Sequence, residues 1–223
     1  PSCTPQARVI LQPNDVINTN PNGLDTLRQD MVKASAPGKC ILFGEHAVVY
    51  GQPALACSID QRMTIEIENE KTFNAWRIDG RTFDAKMHPH VEYIRTRLPP
   101  RDGQPMHIRI RGTIPKASGL GSSAALSVAL CGALQQIRDE PIDPVRASVL
   151  SHLAEAEAQG GRASPMDTAT SSLGGFVVLS DAIEESLDYI ETRTMDVNGE
   201  TRQWHLHTFN AQIPKDVALV IGN

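Results

Sequence analysis

The chain has 223 residues, 40% of them apolar, enough for one large domain or two small ones around a real core. Charged residues make up 21%, near the globular norm, which argues against wholesale disorder. The net charge is −5 and no Lys/Arg-rich block stands out, which argues against nucleic acid as a partner but leaves open a small anion held by one or two cations.

Four cysteines, Cys3, Cys40, Cys57 and Cys131, show no spacing that suits zinc, and three lie in apolar runs. They read as reduced thiols of a cytoplasmic protein. No apolar run reaches membrane-spanning length, and the N-terminus lacks a secretory pattern, so no membrane partner is expected.

Residues 1–30 mix Pro, Asn, Gln and Thr with weak periodicity and predict a poorly ordered tail, with Met31 a candidate natural start. An apolar strand then leads into Gly44. It contains Ala36-Pro37-Gly38-Lys39, and the chain continues Gly44-Glu45-His46-Ala47-Val48-Val49-Tyr50-Gly51. Lys39 stands among apolar residues with no acidic neighbour in sequence, so it needs a partner in space, since burying an unpaired charge is expensive. Glu45 and His46 offer polar contacts suited to a small hydroxylated acid. The plain alternative is a surface lysine beside a polar turn.

Gly51 and Pro53 signal a turn before the apolar run Leu55–Ile59. Met63–Glu68 and His107–Arg111 alternate as half-exposed strands. Between them, Phe73 to Asp102 is polar and irregular, with a helix near Val91–Leu98.

Pro115-Lys116-Ala117-Ser118-Gly119-Leu120-Gly121-Ser122-Ser123-Ala124-Ala125 follows a strand and opens a strong helix. Its glycines let the backbone approach a ligand, and the free N–H groups of the helix start favour an anion. Ser122 and Ser123 add hydroxyls that can reach a phosphate oxygen or Mg²⁺. It is neither a Walker A loop nor a Rossmann fingerprint, and alone it could be an ordinary helix cap. Leu126, Leu130, Ala133, Leu134 and Ile137 lie on one face of the helix predicted over 122–138.

A second helix starts at Asp143-Pro144, runs to about Ala158 and stops at Gly160-Gly161. Glu155 and Glu157 lie late on it, and a helix-borne carboxylate suits Mg²⁺. Asp167 follows in a loop shaped by Pro165 and glycines, which suits a base, and pairing with Lys39 would keep it ionised. Phe176–Leu179 reads as a buried strand. Residues 181–210 are acidic and mixed, with a hairpin around Asn198-Gly199 and no assigned role. Val217–Ile221 reads as a strand.

Taken together, the stretches Pro37–Gly51, Pro115–Ala125 and Ser164–Thr168 resemble the GHMP kinase family. The Glu-His-Ala-Val-Val-x-Gly string is similar to the branch that acts on mevalonate, and Ser-Pro-Met-Asp-Thr to archaeal members. The resemblance covers roughly Met31 to Leu179. It implies an α+β domain of the ribosomal-protein-S5 domain 2 type over 31–213, with 214–223 opening a second domain. ATP, with Mg²⁺, would phosphorylate mevalonate to 5-phosphomevalonate. Lys39 and Asp167 would be the catalytic pair at the alcohol, and Glu45 and His46 would help bind it. Residues Pro115 to Ala124 would hold the ATP phosphates. Glu155 with Ser122 or Ser123 would hold the metal, with Glu157 a rival ligand. The family's later Gly-rich loop is missing, so the chain reads as the N-terminal part of a longer enzyme. A phosphomevalonate or sugar kinase, a non-catalytic binding module and a homodimer all stay open.

Overall fold

A computed structural model describes residues 31–45, 48, 52–69, 74–115, 118–161, 163–197 and 199–211. The expected tail at 1–30 and the strand and second domain from 214 lie outside them. So do three of the expected site residues, His46, Lys116 and Ala117.

Two long strands come first, β1 (Met31–Phe43) and β2 (Ala54–Asn69), paired antiparallel from Met31↔Glu68 to Phe43↔Leu55. The alternation read in Met63–Glu68 has a clear cause. Ile65 and Ile67 enter the core, while Glu66 and Glu68 stay outside and meet Lys33 at 3.4 Å and Arg109 at 2.9 Å. The polar stretch that follows holds two very short strands, β3 (Arg77–Ile78) and β4 (Arg81–Thr82), before helix α1 (Pro89–Arg97). Then come β5 (Met106–Gly112), α2 (Ser122–Ile137), α3 (Pro144–Ala158), α4 (Met166–Leu173), β6 (Phe176–Ser180), β7 (Asp188–Val197) and β8 (Glu200–Phe209).

Among the described residues one eight-stranded sheet results, ordered β4-β3-β5-β2-β6-β8-β7, with β1 on β2. β2 organises it. One of its edges takes β1, while the other takes β5 along Met63–Asn69 and β6 along Ala54–Cys57. Pairing is antiparallel except between β3 and β5. The architecture is α+β, as expected.

Two elements differ from the sequence reading. α2 is covered on nearly all sides, whereas its apolar periodicity predicts one buried face. Ala124, Ala125, Val128, Ala129, Cys131, Gly132 and Gln135 are all buried, while Leu126 and Ile137 are only partly covered. The cause is position. α2 is wedged between β1 and β2 and the helices α1, α3 and α4, and its small side chains permit close approach from several directions. Asp167 is the other case. It lies in the first turn of α4, not in a loop. Met-Asp-Thr-Ala-Thr-Ser-Ser has modest helix propensity, so packing decides. Met166 and Ala169 are buried under the sheet, and the Thr170 hydroxyl donates back to the Met166 carbonyl at 2.8 Å.

α3 forms as expected, its start capped by Asp143, whose carboxylate accepts from the Arg146 N–H at 3.0 Å. Among the described residues no helix is long and apolar enough to cross a membrane.

Candidate active site

β1 delivers Lys39 to the Gly-rich segment, and two glycines make the approach possible. The Lys39 N–H donates to the Leu120 carbonyl at 2.9 Å. A methyl group at Gly38 would lie 2.7 Å from that carbonyl oxygen, so only glycine lets strand and loop meet there. Gly121 has φ +71°, and a methyl group on it would sit 2.9 Å from Cγ of Lys39. The lysine stem therefore lies across the residue that precedes α2. The first turn of α2 has no side-chain cap and no acidic residue. Its free N–H groups and the positive end of its dipole face a site beside a cation.

Lys39 is buried, yet its ammonium is paired. Nζ lies 3.1 Å from Oδ1 of Asp167, with the two side chains 5% and 39% exposed. The aspartate thus closes off the lysine while keeping an open side of its own. Burial pushes the Asp167 carboxyl above the ordinary aspartate range. The Lys39 charge and hydrogen bond oppose this, and the charges of Glu155 and Glu45 add to the upward push. The expectation that pairing alone would keep Asp167 ionised is therefore modified: the lysine restrains a shift that burial wins. The same electrostatics bring Glu45, exposed in the turn after β1, and Glu155, on α3, within reach of Asp167.

Glu155 is 6% exposed and Glu157 is exposed, so helical phase turns the first of these inward. Oε2 of Glu155 accepts from the Ser123 hydroxyl at 3.2 Å and from Nε2 of Gln159 at 2.9 Å. Oε1 has no hydrogen-bond donor, although Nε2 of His90 is 3.2 Å away in poor alignment. A buried carboxylate with one oxygen short of a donor, beside a serine at a helix start, fits a divalent cation. Among the described residues no group of three His, Cys, Asp or Glu side chains gathers to hold a metal. That donor set suits an ion that keeps most of its shell for phosphate and water oxygens.

The segment without an assigned role braces this region. The buried Arg193 of β7 is paired with Glu191 and reaches α3, donating to the Ser148 hydroxyl at 2.7 Å and carbonyl at 3.4 Å. One turn along α3, Nε2 of His152 lies 2.9 Å from the Ala163 carbonyl in the stretch leading to Asp167. Trp204 of β8 packs edge-on against the His152 ring. Burial lowers the His152 pKa to about 4, so the neutral ring donates to that carbonyl. The β7–β8 hairpin therefore presses on the connection that spaces Glu155 from Asp167.

Of the expected site residues, Lys39, Asp167, Glu45, Glu155, Ser123 and Gly121 converge. Ser118, Gly119, Leu120, Ser122 and Ala124 belong to the same loop and helix start, with Pro115 at its outer end. Sequence reasoning missed three polar neighbours. Gln159 had a signal, because it stands four residues after Glu155 on a helix. His90 and His152 had none, since only packing brings them to their partners.

Residues 87–175 match the GHMP kinases N terminal domain. The chain is 39% identical over 177 residues to the mevalonate kinase of Methanothermobacter thermautotrophicus, an overlap covering 75% of this chain and 58% of that protein. It is 33% identical over 183 residues to the mevalonate kinase of Thermococcus sibiricus, covering 72% and 55%. The fold is similar to the crystal structure of the Methanococcus jannaschii mevalonate kinase, with a TM-score of 0.60 and 25% identity, covering 69% of this chain and 55% of that one. The chain thus spans a little over half the length of the curated relatives it matches. A helix start approached by a glycine-flanked lysine, on a fold and sequence shared with these proteins, makes the chain a member of the GHMP kinase family, carrying its N-terminal domain.

Proposed function

We propose that this chain is the N-terminal part of an ATP-dependent mevalonate kinase acting in the cytoplasm. The observation that carries the reading is the 3.1 Å Lys39–Asp167 pair beside the uncapped start of α2. The mevalonate C5 hydroxyl gives its proton to Asp167 as its oxygen attacks the γ-phosphorus. The bond to the β–γ bridging oxygen breaks, releasing ADP and 5-phosphomevalonate. Lys39 stabilises the developing negative charge on the alcohol oxygen, and its pairing holds the Asp167 carboxylate in one orientation. Backbone N–H groups from Gly119 to Ala124 receive the ATP phosphates, with Pro115 to Ser118 leading the chain to them. Glu45 and His46 contribute to holding mevalonate. Glu155, with Ser122 or Ser123, holds Mg²⁺, which supplies charge neutralisation on the phosphates.

The test is Asp167→Asn in a longer chain that supplies the length present in the relatives. Turnover should fall by orders of magnitude with the fold intact by circular dichroism. Near-normal kcat overturns the role of Asp167, and faster turnover of galactose or phosphomevalonate than of mevalonate assigns a different alcohol. The chain's partial coverage of its relatives favours one second reading, a module that binds ligand without turnover. Calorimetry of the 223-residue chain with ATP and mevalonate, set beside a turnover assay, separates the two.

A further inference from the structure

On the sheet face turned away from Lys39, two cysteines sit side by side on neighbouring strands. Cys40 of β1 is directly opposite Cys57 of β2. Side chains alternate along a strand, so both point away from the face that carries Lys39 and the buried Ala56. Both are half-buried free thiols. The row continues through Phe176, opposite Cys57, to Phe209, whose ring stacks on that of Phe176 at 5.0 Å. Burial raises the Cys57 thiol, and the neighbouring Cys40 sulfur raises it further, as expected of two sulfurs in electrostatic contact.

The backbone brings the pair within bridging range. The Lys39 N–H goes to Leu120 and the Ser58 N–H to Gly175, so this neighbouring pair turns its amides apart. The next pair, Cys40 and Cys57, therefore turns its amides together. Such hydrogen-bonded pairs have Cα atoms about 5.5 Å apart, inside the roughly 4.4–6.8 Å range of disulfides. Their Cβ atoms must close by about 1 Å. The ladder has slack for this, because its register shifts between Pro37 and Lys39 and again between Ile41 and Phe43.

We propose that Cys40 and Cys57 form a dithiol site that exchanges with small-molecule disulfides to give a reversible cross-strand disulfide. One protein thiolate attacks the small disulfide and expels one thiol, leaving a mixed disulfide. The second protein thiol loses its proton and attacks the sulfur of its protein neighbour, expelling the other thiol. Two protein S–H bonds are lost, one protein S–S bond forms, and the small disulfide is reduced to two thiols. Cys131 serves as an internal negative, because burial pushes its thiol up to about 12. The site does not depend on the kinase reading, although its first sulfur is one residue from Lys39.

The sequence provides the assay. Lys39 and Arg62 bracket a tryptic fragment, residues 40–62, that contains both cysteines and no internal Lys or Arg. The folded 223-residue chain is incubated with excess oxidised glutathione, denatured with an alkylating agent, digested and weighed. The fragment should be two hydrogens lighter than its reduced form and carry no alkyl group, and prior treatment with dithiothreitol should restore two alkylation sites. In a Cys40→Ser chain, Cys57 should carry an alkyl group or a single glutathione. A wild-type fragment that is doubly alkylated, glutathionylated without closure, or joined to the Cys3 fragment overturns the proposal. None of these readouts uses turnover, so failure here leaves the kinase reading where it stands.

Discussion

Burial and charge pull the Asp167 carboxyl in opposite directions, and burial prevails. Because its pKa is raised in the folded protein, a base at this position needs a higher pH to ionise than a free aspartate does. The acid limb of a kcat/KM–pH profile on the longer chain should therefore rise through a pKa above that of free aspartate. Lys39→Met removes both the charge and the hydrogen bond that lower it, so in that variant the limb should shift further up and kcat should fall. A limb unmoved by the substitution would show that another group titrates. Gly121 offers a separate test. Gly121→Ala places a methyl group against the Lys39 stem in a left-handed conformation, and should cost about 1–2 kcal/mol in urea denaturation. Lys39, Asp167 and the Gly-rich stretch were legible in the sequence because each carries a local signal, an isolated charge or a motif. The partner of Glu155 on α1 was not legible, because His90 approaches through packing that no short window of residues contains.

The outcome at the scale of elements follows the same logic. The cap at Asp143 and the Asn-Gly signal in the sequence act within a few residues, and α3 and the β7–β8 hairpin lie where those signals put them. α4 and the full burial of α2 depend on what surrounds them, which periodicity does not report. The brace from β7 and β8 gives two predictions. His152 is held neutral, with a folded-state pKa near 4 against about 6.5 when unfolded. The unfolded chain thus binds the extra proton first, so stability present above about pH 6.5 is lost as pH falls toward 4, on the order of 3 kcal/mol. His152→Gln should flatten that part of the stability–pH curve measured by urea titration. Arg193→Met should cost about 3 kcal/mol, because it leaves Glu191 and the Ser148 oxygens without their buried partner. It should also lower kcat more than it changes KM if the hairpin holds Glu155 and Asp167 in register.

Among the described residues, the core falls into two clusters. One lies among α1, α2, α3 and the strands β1, β2 and β5, and the other under α4 with β6 and β8. β2 contributes to both, Ile65 and Ile67 to the first and Ala54 and Ala56 to the second. Neither cluster can lose its order without breaking a strand of the other. Calorimetry should therefore give one unfolding transition with equal calorimetric and van't Hoff enthalpies, and two resolved peaks would refute the shared-strand account. The same strand bears on how the chain reaches its native state. β2 leaves a ribosome before its β6 partner, which follows α1, α2, α3 and α4 in the chain. The Ala54–Cys57 stretch of that edge must therefore wait, unpaired and sticky, for a neighbour that lies beyond α4 in sequence, so refolding should be slow, in the millisecond-to-second range, with the β2–β6 seam among the last contacts to close.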